Sequence, residues 1–491
     1  MAIVIGVDIG TTSTKVVAFD QQGHALASAD HGYPLIQTQV DMAEEDPEAI
    51  FDAVCAGLRA VVGQISPSDV RGISFSAAMH SVIVMDAANR PLTRVLTWAD
   101  ARGAKFAARL QNTLQGQAIV AHTGVPIHPM SPFIKLMWLN SAMPGVMAQA
   151  AHVIGIKDYV WWRLFGEYVQ DTSLANATGL YDLHTKDWFP QALALAGVSR
   201  NQLPRLVAPT YHQTHMRVEV GLPQATPVFI GASDGVLSNL GVAAQKPGTV
   251  ALTIGTSAAI RTVITKPQVA TNGKLFTYYL APDRYVVGGP VNNGGLVWQW
   301  AQRTFLPEGD LAGLSQKVSP IPAGAHGLLF LPYLAGERAP LWDADARGSF
   351  IGLTPQTDPP TMAKAVLEGI CFNLKTVLSM VSAVAGAPKV IHATGGFARS
   401  DLWKQMLCDI LHVPIQLPDS FESSAFGAAV LAMQALGLID SLDDVEALVG
   451  STKTLTPGPD AAVYQRLWPI WLQMNAQLAG SYHALAKFQR A

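Results

Sequence analysis

The chain has 491 residues, of which 49% are apolar and only 14% charged, with a formal net charge of −3. That length exceeds a single hydrophobic core and predicts two large domains, while the low charge predicts extensive burial. The absence of a basic run argues against nucleic acid or an anionic membrane as partner, and no uninterrupted apolar stretch reaches the roughly 18 residues of a membrane helix.

The N-terminus has no basic region and meets Asp8 early, so it does not read as a signal peptide. Residues Ile3–Ile9 are apolar except for Asp8 and predict a buried strand. A turn through Gly10, Thr11, Thr12 and Ser13 leads to strands over Lys15–Phe19 and Ala25–Tyr33. A carboxylate, a glycine and three hydroxyl residues form a nest of phosphate size; the plain alternative is a solvated hairpin tip. Asp8 is placed to hold Mg²⁺ beside phosphate oxygens. Asp46, Pro47 and Glu48 open a helix in which Ile50, Phe51, Val54, Leu58 and Val61 recur at helical spacing. A strand over Val70–Ser76 completes a β-β-β-α-β order, which is that of a ribonuclease-H-like core, and Val82–Met85 reads as another strand. Cys55 lies in the first helical pattern, and Cys371 and Cys408 in later ones. None has metal-ligand spacing, and all three read as small buried hydrophobes of a reducing cytoplasm.

Met79 and His80 fall between two strands. An imidazole there is either a core or cap residue or a partner for hydroxyls. Trp98, Asp100 and Arg102 suit a polyol, the ring packing on C–H faces and the charges taking hydroxyls; the alternative is a salt bridge beside a core tryptophan.

The stretch Met130-Ser-Pro-Phe-Ile-Lys-Leu-Met-Trp138 matches position by position a signature of the FGGY family of carbohydrate kinases. A second signature resembles Gly348–Leu353 running on to Ala365–Glu368, and departs at Thr361, where the family has an acid, an amide or His. The turn Gly395-Gly396 is also similar, and the resemblance spans essentially the whole chain. It implies an α/β fold of two ribonuclease-H-like, actin-like ATPase domains with an interdomain catalytic cleft that closes on its ligands. It also implies a sugar acceptor site in residues 1–245, ATP bound by residues 246–491, and transfer of phosphate from ATP to a sugar. Within the family, Ser76–Ser81, Thr97–Asp100, Thr123–Pro132 and Gly231–Gly241 are most similar to gluconate kinases. Gluconate is therefore the expected acceptor, and xylulose or another pentulose or polyol the alternative.

Val228–Gly231 reads as a strand, Ser233 as an N-cap and Asp234 as the first residue of a helix. An ionised carboxylate at that position can accept a proton from a substrate hydroxyl, and the family resemblance assigns Asp234 as general base. Lys246-Pro247-Gly248 marks the domain boundary.

Val250–Ile254 with Gly255, Thr256 and Ser257 repeats the opening strand and turn, except that Thr253 replaces the acid. The metal role therefore falls to Asp8, with Asp234 contributing through water. Gly294 and Gly295 precede a helix and offer N–H groups to an anion, or serve a packing turn. Glu337 and Arg338 are a structural pair or part of a cleft rim. A long helix is predicted over Thr361–Ala383. After the strand Val390–Thr394, Gly395 and Gly396 admit an adenine ring, and Arg399 and Ser400 reach ribose or phosphate. Ser423–Gly427 opens a helix of small residues expected on the nucleotide side, and Asp460–Ala491 reads as covering helices. For an acceptor carboxylate the cationic or N–H donors are His80, Arg102, His128 and Lys157. An actin-like or chaperone-like ATPase is the reading from another class, and a homodimer is compatible with the sequence.

Overall fold

The computed structural model describes residues 2–270, 273–418, 422–450 and 454–489. It divides into two compact units. The first gathers residues 1–245 with two later segments, 264–286 and 422–449; the second holds 246–263, 287–421 and 450–491.

The first unit is built on β1 (Ile3–Ile9), β2 (Ser13–Asp20), β3 (Ala25–Gly32), β4 (Val70–Ala77), β5 (His212–Gln213) and β6 (Val228–Ser233). Their order in the sheet is β5-β6-β4-β1-β2-β3, with β1, β4 and β6 parallel and β2 and β3 antiparallel to their neighbours. Side chains alternate across β1. Ile3, Ile5, Val7 and Ile9 share a core with Ile50, Phe51, Val54 and Leu58 of α1 (Pro47–Val62), whose first turn is capped by the Asp46 carboxylate accepting from Glu48 N at 2.9 Å. Val4 faces the other way, into a core made with α2 (Asp234–Gly241) and an apolar helix from far along the chain.

The second unit repeats this plan. Strands β7 (Thr249–Ile254), β8 (Ala258–Ile264), β9 (Arg284–Val291), β10 (Val390–Gly395) and β11 (Ile415–Gln416) run in the order β9-β8-β7-β10-β11. That is the counterpart of β3-β2-β1-β4-β6, and the register agrees. Asp8 lies between Lys15 and Ser76 as Thr253 lies between Ala259 and Thr394. The helices are α3 (Gly295–Phe305), α4 (Pro359–Ala385), α5 (Asp401–Leu411) and α7 (Ala461–Gln489), with α6 (Ser423–Ala435) belonging to the first unit. Helix α4 extends the predicted helix by two residues at each end. By length and composition it could cross a membrane, but it is largely buried, and Phe372 on it stacks on Trp468 and Trp471 of α7.

The placement of α6 corrects the expectation that it packs on the nucleotide side. It lies on β1 and α2 of the first unit, and the reason is steric. A Cβ at Gly6 would stand 2.0 Å from Ala425 O, and one at Gly427 would stand 2.0 Å from Leu237 O. Only glycines let the helix backbone sit so close to the strand and to its neighbouring helix.

Candidate active site

The first site element is the turn between β1 and β2. Gly10 N donates to Ser13 O at 3.0 Å, and Tyr33 clamps the turn from outside, its N–H to Thr12 O at 3.0 Å and its hydroxyl to Gly10 O at 2.6 Å. Asp8 stands at its base on the same face as Gly6, where α6 begins. Its Oδ1 accepts from Ser76 Oγ at 2.7 Å. Burial holds its pKa above the ordinary carboxylate value, the Glu422 charge adds to this, and Ser76 and Lys15 oppose it. Lys15, opposite Asp8 in the ladder, forms a forked ion pair with Glu422 at 3.1 Å to each oxygen. A carboxylate oriented by one hydroxyl beside a hydroxyl-rich turn is a donor set that suits a hard divalent cation, whose charge would reverse the upward shift.

Asp234 stands at the end of β6. The strand carries a bulge, its register against β4 shifting between Phe229 and Ala232. Gly231 makes the bulge possible, with φ +68° and no room for a side chain, since a Cβ would lie 1.7 Å from Phe75 O. Ser233 occupies the N-cap position by its backbone, but its hydroxyl makes no capping bond and lies 3.1 Å from Ser173 Oγ instead. Asp234 opens α2 half-buried, with Oδ1 accepting from Gly235 N at 2.6 Å. Asp8 and Asp234 thus lie near the carboxyl ends of β1 and β6 on either side of β4, where open parallel sheets bind their ligands.

The expected acceptor residues divide. His80 is buried with φ +70°. Its Nδ1 lies 2.8 Å from Ala177 O and must carry the proton, because a carbonyl only accepts; Nε2 faces Tyr278 OH at 3.4 Å. Met79 packs half-buried on the core beside it. Lys135, buried in the signature stretch, donates to His80 O at 2.9 Å and to Met130 O, and burial pushes its pKa down to about 7. Trp98 is 38% exposed rather than a core residue, and its Nε1–H donates to Thr11 Oγ1 at 2.9 Å.

Asp100 is 1% exposed with both oxygens engaged, by Arg102 and by Ala43 N at 3.1 Å, so it anchors its loop and has no oxygen left for a hydroxyl. Arg102 also pairs with Glu44 at 2.5 Å and stacks on Trp138 at 4.3 Å. Lys157 drops out as a ligand for an acceptor carboxylate: it is buried in an ion pair with Asp171 at 2.7 Å. His128 accepts from Met130 N on Nδ1 at 3.2 Å, which puts the proton of the neutral ring on Nε2.

The second unit carries a cavity of about 800 Å³ at the carboxyl ends of β7 and β10, lined by Gly255, Thr256, Gly295, Gly396, Arg399 and Ser400 among others. Its phosphate-type turn is one residue shorter than the first, with Gly255 N donating to Ser257 O at 2.8 Å. Of the two readings of Gly294 and Gly295, the packing turn is the one the contacts of Gly295 fit. Gly295 N donates to Gly255 O at 2.7 Å and Leu296 N to Thr256 O at 3.0 Å, so the start of α3 grips the turn. A Cβ at either glycine would strike that turn at 2.6–2.7 Å. Behind it Glu337 accepts from Asn292 N at 2.5 Å, Asn293 Nδ2 at 2.9 Å and Asn373 Nδ2 at 2.8 Å, while burial raises its pKa to about 7. Arg338 donates from Nε to Asn292 Oδ1 at 2.7 Å. Both residues therefore brace the glycine loop. Gly395 and Gly396 also part company. Gly395 (φ +112°) would place a Cβ 2.1 Å from Ile254 O, whereas a Cβ at Gly396 meets nothing within 4 Å and that residue lines the cavity. Ser400 caps α5, accepting from Trp403 N at 3.3 Å.

Residues 3–241 match the N-terminal domain, and residues 250–436 the C-terminal domain, of the FGGY family of carbohydrate kinases. This chain belongs to the FGGY family. A gluconokinase of Bacillus subtilis (strain 168) is 44% identical, the alignment covering 99% of this chain and 98% of that one. Two solved structures from Lactobacillus acidophilus, a gluconate kinase and a ligand-bound xylulose kinase, each match at 40% identity and TM-score 0.96. Both cover 99% of this chain, and 99% and 100% of their own.

In this FGGY kinase the residues that sequence reasoning missed are those that hold the site from behind. Tyr278 lies in a largely buried strand, Phe276–Ala281, with no motif around it, and Lys135 is legible only as part of a signature. Ser173 follows Asp171-Thr172, a helix-cap pattern that carries no chemical signal of its own.

Proposed function

We propose that this FGGY kinase transfers the γ-phosphoryl group of ATP to the terminal hydroxyl of D-gluconate, yielding 6-phosphogluconate. The observation that carries the acceptor is the 44% identity with the Bacillus gluconokinase over nearly the full length of both chains. Phosphoryl transfer asks the protein chiefly for positioning and charge neutralisation. ATP lies with its adenine against Gly396 and Ser400 and its phosphates beside Gly255 and Thr256. Gly10, Thr11, Thr12 and Ser13 supply the second phosphate turn. The acceptor lies by Met79, His80 and Trp98, with His128 and Arg102 as donors toward its carboxylate. Asp234 takes the hydroxyl proton as the oxygen attacks. Asp8 would hold Mg²⁺, which when bound offsets charge on the phosphate oxygens. The enzyme works in the cytoplasm on small molecules.

The second reading, a pentulose such as xylulose, is favoured by the equally good match, at 40% identity and TM-score 0.96, to the Lactobacillus xylulose kinase. The experiment is Asp234→Asn. Loss of about a thousandfold or more in turnover with ATP affinity unchanged supports the base; near-normal turnover sinks it. In parallel, Asp8→Asn raises the Mg²⁺ concentration needed for half-maximal rate, and an unchanged requirement removes Asp8 as the metal residue.

A further inference from the structure

Behind Asp234 lies a short helix, Thr172–Ala177, that holds site residues at both of its ends. At its first turn Ser173 Oγ lies 3.1 Å from Ser233 Oγ and accepts from Ser233 N at 3.3 Å. These bonds fix the backbone one residue before Asp234. Asp171, the N-cap, accepts from Leu174 N at 3.0 Å and pairs with Lys157 at 2.7 Å. Lys157 in turn donates to Ala232 O at 3.0 Å, two residues before Asp234. At the other end, Ala177 O receives the Nδ1 proton of His80 at 2.8 Å. Asn176, between them, donates to Thr123 O at 2.7 Å and accepts from Tyr279 N at 2.8 Å, which ties the helix to two further segments. Ser173, Asn176, Asp171 and Lys157 are all fully or almost fully buried.

We infer that Ser173 and the Lys157–Asp171 pair are positioning residues for Asp234, and that the helix Thr172–Ala177 fixes the proton acceptor and His80 as one rigid piece. This rests on Asp234 being the base. The buried ion pair is costly to place away from water, and its worth here is geometric: with Ser173 it braces the last peptide units of β6, Ala232 and Ser233, which pair with Ser76 and Ala77 of β4 just beyond the register shift at Gly231. Held in this way, Asp234 keeps one orientation at the start of α2, with Oδ1 accepting from Gly235 N at 2.6 Å.

The test is Ser173→Ala, with Ser233→Ala and the double variant, assayed for gluconate phosphorylation across pH. A displacement of the base of a fraction of an ångström predicts a fall in kcat of about tenfold or more. The fall should appear in kcat at every pH assayed, because the carboxylate is misplaced rather than removed. KM for ATP should stay within about twofold, and the two serine effects should be non-additive because they remove one shared contact. Lys157→Arg should retain more activity than Lys157→Met; equal loss in the two would overturn the role of the ion pair. If Asp234→Asn is inactive while Ser173→Ala keeps the wild-type kcat and pH profile, the positioning role is wrong and the base assignment stands. If Asp234→Asn is itself active, the base assignment fails first. A Ser173→Ala protein that melts lower but shows the wild-type profile also overturns the inference, since that is the mark of a merely structural contact.

Discussion

The indole Nε1–H of Trp98 donates to the hydroxyl of Thr11 at 2.9 Å. One bond therefore joins an aromatic ring suited to a polyol and the turn suited to phosphate. The ring is still 38% exposed, which leaves a face open to a ligand.

Trp98→Phe keeps an aromatic face and removes the bond. A neutral hydrogen bond contributes about 1 kcal/mol, so kcat/KM for the acceptor should fall about fivefold. The melting temperature should change little, because phenylalanine keeps an aromatic ring in the covered part of the site. Steady-state kinetics with the acceptor varied checks this, and an unchanged kcat/KM would show that the bond does not serve the site.

The two glycines of the nucleotide turn should fail differently. Gly395→Ala forces a Cβ to 2.1 Å from Ile254 O at φ +112°. It should destabilise the protein by about 2 kcal/mol or more. Gly396→Ala adds its methyl group where nothing lies within 4 Å, on the cavity side. It should raise KM for ATP several-fold at unchanged melting temperature. Thermal melts paired with ATP titrations separate the two outcomes.

Glu45 is buried, and its Oε1 has no hydrogen-bond partner; burial raises its pKa to about 8. Its ordinary value is 4.5. Between these values the folded chain keeps a proton that the unfolded chain has released, so stability is complete below pH 4.5 and is lost as pH rises toward 8. Glu45→Gln keeps the shape without ionising. The melting temperature of the variant relative to wild type should therefore climb steadily from pH 5 to pH 8, with a total effect on the order of a few kcal/mol. A flat difference across that range would show that Glu45 ionises normally in the fold.

Much of this architecture is written locally. Alternation in Ile3–Ile9, the Asp46-Pro47 start of α1 and the repeated Gly-Thr turns are readable because each depends on neighbours a few residues away. The membership of α6 in the first unit is not. It follows from Gly6 and Gly427 admitting backbone at 2.0 Å, a contact between distant parts of the chain. The site shows the same division. Asp8 and Asp234 could be picked out by their place at strand ends, whereas the engagement of Asp100 by Ala43 N and Arg102, and of Gly295 N by Gly255 O, depends on which partner reaches the group first in three dimensions. Residue types suggested ligands there, and folding assigned those groups to the protein itself.

Initial rates with ATP and gluconate, xylulose, ribulose or glycerol identify the acceptor. The kcat/KM for gluconate should exceed that for each of the others by at least about tenfold, with 6-phosphogluconate as product; a higher kcat/KM for xylulose or any other acceptor in that series would contradict gluconate as the substrate.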